Sequence, residues 1–311
     1  MIRNKILIII CGPTAVGKTE LSIKLALKFN GEIISADSMQ VYKYMNIGTA
    51  KPDNYVLSKV KHYMIDICEP GEDFSSYNFI NMAEKYIKEI YMKDKIPFIV
   101  GGTGLYIRSL IYGLSDAPGA DKSIRDKLKN IALKEGLQFL YEKLKIIDPS
   151  YAEKISPNDY IRIIRALEVY EKSGLPFSYF CDKHIKNPKY NALKIGLILP
   201  RKILYEKINK RTDDMIKNGL IEETKNLIQK GISKEFLKRK AIGYADIIDY
   251  LEGKISIEKA IENIKKKTRN YAKRQLTWFK KEKDIKWFSP DNIFEIEKLI
   301  ENWLKNYLMQ N

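Results

Sequence analysis

Apolar residues fall along this chain in two rhythms. Lys5 to Cys11 is a continuous apolar run that reads as a buried strand, and Lys18 to Phe29 (KTELSIKLALKF) follows with Leu21, Leu25 and Phe29 at helical spacing. Glu32–Ala36, Tyr63–Ile67 and Pro97–Val100 predict further strands, with a helix over Ser76–Met92 between the last two. Short buried strands alternating with amphipathic helices predict an α/β fold with a doubly wound parallel sheet. From about Ser115 to Lys189 the pattern changes to helices with polar loops, as expected of a helical insertion lobe. Asn191–Pro200 returns to strand character and completes the sheet. A helical C-terminal third follows, with main helices over Arg201–Leu227, Ile257–Lys283 and Ile293–Tyr307. The expected organisation is therefore residues 1–114 as the first part of the core, 115–190 as the lobe, and 191–311 as core completion plus the C-terminal helices.

With 311 residues, 45% of them hydrophobic and 30% charged, the chain is long enough for a core domain with a second lobe. No stretch approaches the roughly 20 apolar residues of a membrane span. The apolar run near the start, about six residues, is too short for a signal-peptide core, so a cytoplasmic location is expected. Cys11, Cys68 and Cys181 are widely separated and suggest neither a disulfide framework nor zinc. His62 and His184 are too isolated for a metal cluster and are read as structural or solvent-facing.

Charge adds more. The net charge is +16, an excess that attracts polyanions, although a Lys-rich codon bias produces the same total. Distribution separates the two explanations. Between Ile261 and Lys283 there are nine basic residues and two acidic ones, so nearly half of the excess sits in one predicted helix. Cations there alternate with Tyr271, Trp278 and Phe279, a pattern in which phosphate contacts and a core-facing aromatic stripe share one helix.

Gly12-Pro13-Thr14-Ala15-Val16-Gly17-Lys18-Thr19 satisfies GxxxxGK(S/T) between a buried strand and a helix, the context that identifies a phosphate-binding P-loop. The core is thus expected to be P-loop NTPase-like. Backbone N–H groups and the helix N-terminus face the phosphate, Lys18 bridges anionic oxygens, and Thr19 offers a hydroxyl to Mg²⁺. The motif by itself does not separate ATP from another diphosphate ester. Asp37, just past the next strand, lies on the same edge of the sheet. A carboxylate there could hold Mg²⁺ through water, take a proton from a nucleophile, or cap the following segment. Lys43–Pro52 continues as a polar loop long enough to bind substrate.

Five segments give these features a context: ADSMQVYKYMNIGTAKP, GGTGLYIRSLI, NDYIRIIRALEVYEKSG, KAIGYADIIDYLEG and TRNYAKRQLTWF. In this order beside a P-loop, they resemble bacterial tRNA dimethylallyltransferases, from Ile6 to about Phe288. Tyr44, Asn46, Ser156 and Ala245 depart from the residues usual in that family. The resemblance implies transfer of a dimethylallyl group from dimethylallyl diphosphate to N6 of the adenosine at tRNA position 37, next to the anticodon, with the P-loop holding the diphosphate and Mg²⁺ as cofactor. It implies Asp37 as proton acceptor, Thr103 as an orienting group and Arg211 as a further phosphate cation. Thr103 reads equally well as a helix N-cap. The tRNA side is implied to include Asp37, Ser38, Met39, Gln40, Thr103, Arg125, Ile161, Arg162, Ile163, Ile164, Arg165, Lys240, Gly243, Tyr244, Lys273, Arg274, Gln275 and Trp278. Gln40 could hydrogen-bond an adenine edge in both directions, and Arg162 and Arg165 share a helical face opposite Ile161 and Ile164. Partners would be the tRNA anticodon stem-loop and dimethylallyl diphosphate, with no membrane and a monomeric chain. A small-molecule kinase would have no use for the basic helix. A non-catalytic RNA-binding NTP switch would leave the Asp37 segment without a role.

Overall fold

The computed structural model describes residues 6–182 and 187–310; His184 lies outside them. Six strands form one sheet: β1 (Ile6–Cys11), β2 (Gly31–Ser35), β3 (His62–Tyr63), β4 (Ile96–Gly101), β5 (Asn191–Leu197) and β6 (Lys286–Phe288). Their order is β3-β2-β4-β1-β5-β6, and every pairing is parallel. β1 is buried along its whole length, as a central strand covered on both faces must be. Ile8 and Ile10 of β1 pack with residues of α1 (Lys18–Lys28) in a core cluster that also holds Phe98 and Ile195. Leu7 and Ile9 alternate to the opposite face.

Further helices of this unit are α2 (Asn54–Lys59), α3 (Ser76–Met92) and α4 (Gly104–Tyr112). α3 begins at a capping box of Ser75 and Asn78 and buries Phe79, Ile80, Ala83, Ile87 and Ile90, the 3.6-residue stripe that made it legible. The predicted strand at Tyr63–Ile67 shrinks to two residues because Met64 and Asp66 take positive φ, which ends an extended run.

Two compact units emerge: Met1–Ile111 with Pro188–Asn311, and Tyr112–Asn187. The second consists of α5 (Lys122–Glu135), α6 (Leu137–Ile147), α7 (Pro149–Ala152), α8 (Tyr160–Ser173) and α9 (Phe177–Asp182). Its core is built on Leu128, Leu140, Leu144, Ile163, Ile164 and Leu167.

After β5, the first unit continues through α10 (Arg201–Lys217), α11 (Leu220–Gln229), α12 (Lys234–Lys240), α13 (Tyr244–Leu251), α14 (Ile257–Phe279) and α15 (Ile293–Gln310). The single predicted helix over Arg201–Leu227 is two, broken where Gly219 takes φ 100° as the N-cap of α11. Residues of α11, α12, α13 and α14 pack on Val41, Tyr42 and Met45. The C-terminal third is thereby joined to the loop that follows Asp37. α10 and α15 join the core under the sheet through Leu204, Ile208, Ile296 and Ile300.

Candidate active site

Parallel sheets gather ligands at the carboxyl ends of their strands, and three loops meet there. The loop after β1 is the P-loop. Gly12 sits at φ 145° with no room for a side chain, since a Cβ would lie 2.7 Å from the Leu197 carbonyl oxygen. Gly17, at φ 106°, is the N-cap of α1. Lys18 Nζ donates to the carbonyls of Gly12 (3.0 Å) and Pro13 (2.7 Å), which curls the loop around it. Val16 anchors the loop in the core. Burial pushes Lys18 down to about 8, with Asp37 opposing the shift and Arg211 adding to it. Desolvation disfavours the ammonium, and a bound anion would restore it.

Asp37 follows β2. Its Oδ1 accepts from the backbone N–H of Met39 (2.8 Å) and Gln40 (3.3 Å), so the carboxylate closes its own turn and caps no helix. Oδ2 makes no hydrogen bond among the described residues and is available to a substrate. Thr103, after β4, receives the Ser38 N–H on its Oγ1 (3.1 Å). Its hydroxyl ties the β4 loop to the Asp37 turn, while its carbonyl accepts the Tyr106 and Ile107 N–H groups of α4.

Two of the three loops are braced from behind by α14. Gln275 accepts the Thr14 N–H on Oε1 (2.8 Å) and donates from Nε2 to the Gly102 carbonyl (3.0 Å). Tyr271 lies one turn earlier; burial pushes its phenol well above the ordinary range, and the nearby Asp37 charge adds to the shift. These approaches require glycine. A Cβ on Gly102 would lie 2.1 Å from Gln275 Nε2, and one on Gly104 would lie 2.1 Å from the Trp278 ring.

A cavity of about 470 Å³ opens in front of this frame, lined by Thr14, Asp37, Ser38, Met39, Arg211 and Tyr271 among others. Arg211 on α10 donates to Thr14 Oγ1 (3.2 Å), and burial lowers its affinity for its proton while Asp37 opposes. Lys240, Gly243 and Arg274 also line the cavity. So do Lys238, Arg239 and Thr268, which sequence reasoning did not single out; the dense basic run Lys238–Lys240 was the available signal for two of them. A smaller space of about 50 Å³ behind Asp37 is lined by Lys18, Thr19, Ser35 and Gln40. His62 borders it, its Nδ1 held by the Val60 carbonyl and its basicity lowered by burial.

Several expected RNA contacts fall elsewhere. Ile163 and Ile164 are 0% and 6% exposed in the core of the helical unit and have no surface to offer a partner. Ile161, expected on the same face as Ile164, is instead 78% exposed. Tyr244 is fully buried and Gln275 nearly so, which makes both internal supports. Gln40 does not present its amide to the large cavity. Oε1 accepts from Ser35 Oγ, and Nε2 donates to the carbonyls of Thr49 and Ala50. Arg125 and Arg165 converge on Glu168, which is completely buried, at 2.7 and 2.6 Å, while Arg162 stays exposed beside Asp159. Lys273 is exposed on α14, and Trp278 is half-buried against Gly104.

The family model described as IPP transferase matches residues 40–282, and one described as isopentenyl transferase matches residues 5–69. This chain belongs to the IPP transferase family. A tRNA dimethylallyltransferase from Thermoanaerobacter sp. (strain X514) is 52% identical over 304 residues, 96% of each chain. Its counterpart in Acetivibrio thermocellus is 47% identical over 303 residues, covering 97% of this chain and 96% of that one. Among solved structures, the full-length tRNA isopentenylpyrophosphate transferase from Bacillus halodurans superposes with a TM-score of 0.72 at 41% identity, with 99% of both chains covered. A eukaryotic dimethylallyltransferase acting on tRNA gives a TM-score of 0.77 at 31% identity, covering 92% of this chain and 74% of that one. The P-loop, the Asp37 turn and the α14 brace of this chain lie within the span that the family models match.

Proposed function

We propose that this enzyme transfers the dimethylallyl group of dimethylallyl diphosphate to N6 of the adenosine beside the anticodon of tRNA, releasing diphosphate. The observation that carries the reading is one cavity shared by the Asp37 carboxylate, P-loop residue Thr14 and the Arg211 guanidinium. A base and a leaving-group site thus face one space. The N6 lone pair forms a bond to C1 of the prenyl chain as the C1–O bond breaks, its electrons leaving on the diphosphate. An exocyclic adenine amine is a weak nucleophile, so Asp37 Oδ2 takes the N6 proton as the C–N bond forms. P-loop N–H groups, Lys18 and Arg211 meet the growing charge on the leaving group. Thr103 keeps Ser38, and with it Asp37, in register.

Among the described residues no group of three or more His, Cys, Asp or Glu could hold a metal by itself. A P-loop Mg²⁺ would be held by the Thr19 hydroxyl, at the smaller space, and would neutralise diphosphate charge. The tRNA would lie along Lys240, Arg274 and Lys273, its target adenine unstacked into the cavity, at a cost that is lowest in a single-stranded loop. No helix among the described residues is long and apolar enough to cross a membrane; a cytoplasmic monomer completes the reading.

Incubating unmodified tRNA with protein, Mg²⁺ and dimethylallyl diphosphate, followed by mass analysis of nucleosides, tests the proposal. A prenyl increment on tRNA adenosine, absent on AMP, is expected. Unchanged tRNA with ATP consumed would favour a phosphotransferase instead.

A further inference from the structure

Glu223, in the first turn of α11, lies far in sequence from the P-loop and Asp37. Its carboxylate is nevertheless saturated by the loop that follows the Asp37 turn. Oε2 accepts from the backbone N–H of Asn46 (2.9 Å) and Ile47 (2.7 Å), while Oε1 accepts from the N–H of Gly48 (2.9 Å) and from the Tyr244 hydroxyl (2.8 Å). Three successive amides converging on one anion form a nest, here occupied by the protein's own side chain. Tyr244, the fully buried first residue of α13, closes the arrangement. A Cβ on Gly48 would lie 2.5 Å from the Tyr244 ring, so the loop meets the ring at bare backbone.

The clamp sits directly behind a cavity wall. Gly48 and Thr49 from the loop, Leu220 from α11 and Gly243 and Ala245 flanking Tyr244 all line the cavity that contains Asp37. The same loop reaches Asp37 from its other end: the Thr49 and Ala50 carbonyls hold the Gln40 amide, and the Gln40 N–H bonds Asp37 Oδ1. A continuous path therefore runs from Glu223 through residues 46–50 and Gln40 to the carboxylate. Among the described residues, none of its members hydrogen-bonds to the P-loop.

We propose that Glu223 and Tyr244 are positioning residues for the acceptor half of the site, fixing the wall against which a purine is seated and, through Gln40, the direction of Asp37. This rests on the transferase reading above. Misplacement of a reacting group by about 1 Å costs roughly 100-fold in rate. The clamp holds the acceptor side only, so its loss falls on tRNA-dependent steps.

The test compares Glu223→Gln, which sets an amide against backbone N–H groups, and Tyr244→Phe, which removes one donor and keeps the ring. Glu222→Gln serves as a control, at an exposed neighbour paired with Lys225. For each, the KM for tRNA, the single-turnover transfer rate, the Kd for inorganic diphosphate and thermal unfolding are measured. In Glu223→Gln, the single-turnover rate is expected to drop roughly 10- to 100-fold or the tRNA KM to rise comparably, with a smaller change in Tyr244→Phe. The diphosphate Kd stays within about twofold and unfolding remains cooperative. Unchanged tRNA parameters in folded Glu223→Gln overturn the clamp while leaving the transferase reading intact. Equal losses of diphosphate and tRNA binding, tracking the folded fraction, also overturn it. Absence of transfer by the wild type overturns both.

Discussion

Replacing Gln275 by Met keeps length and flexibility but removes both hydrogen bonds that tie α14 to the strand ends. The Gly102 carbonyl, buried with its donor, loses a partner that water cannot replace, at about 2 kcal/mol; the Thr14 N–H, which is partly accessible, loses about 1 kcal/mol. For a cooperative unit of the size of the sheet domain, roughly 3 kcal/mol lowers the unfolding midpoint by about 6–12 °C. The effect on ligands goes the other way. Thr14 N–H is a P-loop amide engaged by Gln275 in this structure, so removing the competitor leaves it free for an anion. Calorimetry with inorganic diphosphate should therefore give equal or tighter binding, while prenyl transfer at saturating substrates falls because Thr103 and the Asp37 turn lose their register. A variant of near-wild-type stability whose diphosphate affinity falls tenfold would refute this reasoning, since Gln275 would then be a direct ligand of the anion.

Three further outcomes follow from the geometry. Asp37→Asn retains an oxygen for the Met39 and Gln40 N–H groups but cannot take a proton, so transfer should fall roughly 10²- to 10⁴-fold with little change in melting temperature, as single-turnover assays with parallel thermal scans would show. Lys18, pushed down to about 8 from an ordinary 10.5, should take up a proton when diphosphate binds near pH 8.5, and affinity should weaken as pH rises above 8; titrations in buffers of different ionisation enthalpy measure this. In the free protein the same depression means that the unfolded chain holds a proton the folded one lacks between those values, so the Lys18 contribution makes stability rise with pH across that window. Glu168, which burial alone would raise, is held below its ordinary 4.5 by Arg125, the Asp121 N–H and Arg165. Glu168→Gln should loosen the helical unit by roughly 2–3 kcal/mol, less than a fully buried pair because both arginines reach solvent. Its stabilising effect in the wild type is present above pH 4.5 and lost as pH falls further, measurable as hydrogen exchange over residues 112–187.

Much of the frame was legible because its signals are local. The β1–P-loop–α1 unit follows from a continuous apolar run and glycine spacing, and α3 from a clean amphipathic stripe with a serine cap. Asp37 could be placed at the correct sheet edge because the strand before it is short and wholly buried. What escaped were properties that depend on partners distant in the chain. Gln40 and Gln275 look alike as polar residues near a site, yet both amides turn inward, to carbonyls 9 or 10 residues away in one case and 173 in the other. Ile163 and Ile164 were drawn into the RNA surface by their motif, whereas helical phase around Leu167 and Leu128 places them in the core. Glu223 carried no signal, because an acidic residue in the first turn of a helix is unremarkable until the loop it binds is seen.

The glycines at 102 and 104 have a wider consequence. Because α14 rests on bare backbone there, with Gln275 and Trp278 occupying the space that side chains would need, its inner face is locked to the strand ends and tolerates little variation. Its outer face, carrying the exposed Lys266 and Lys273, which do not line the cavity, has no such constraint. Selection can therefore redraw the charge pattern shown to a polyanion, residue by residue, without disturbing the chemistry behind it. A cationic surface and a brace for the strand-end loops share one helix, yet they can drift at different evolutionary rates.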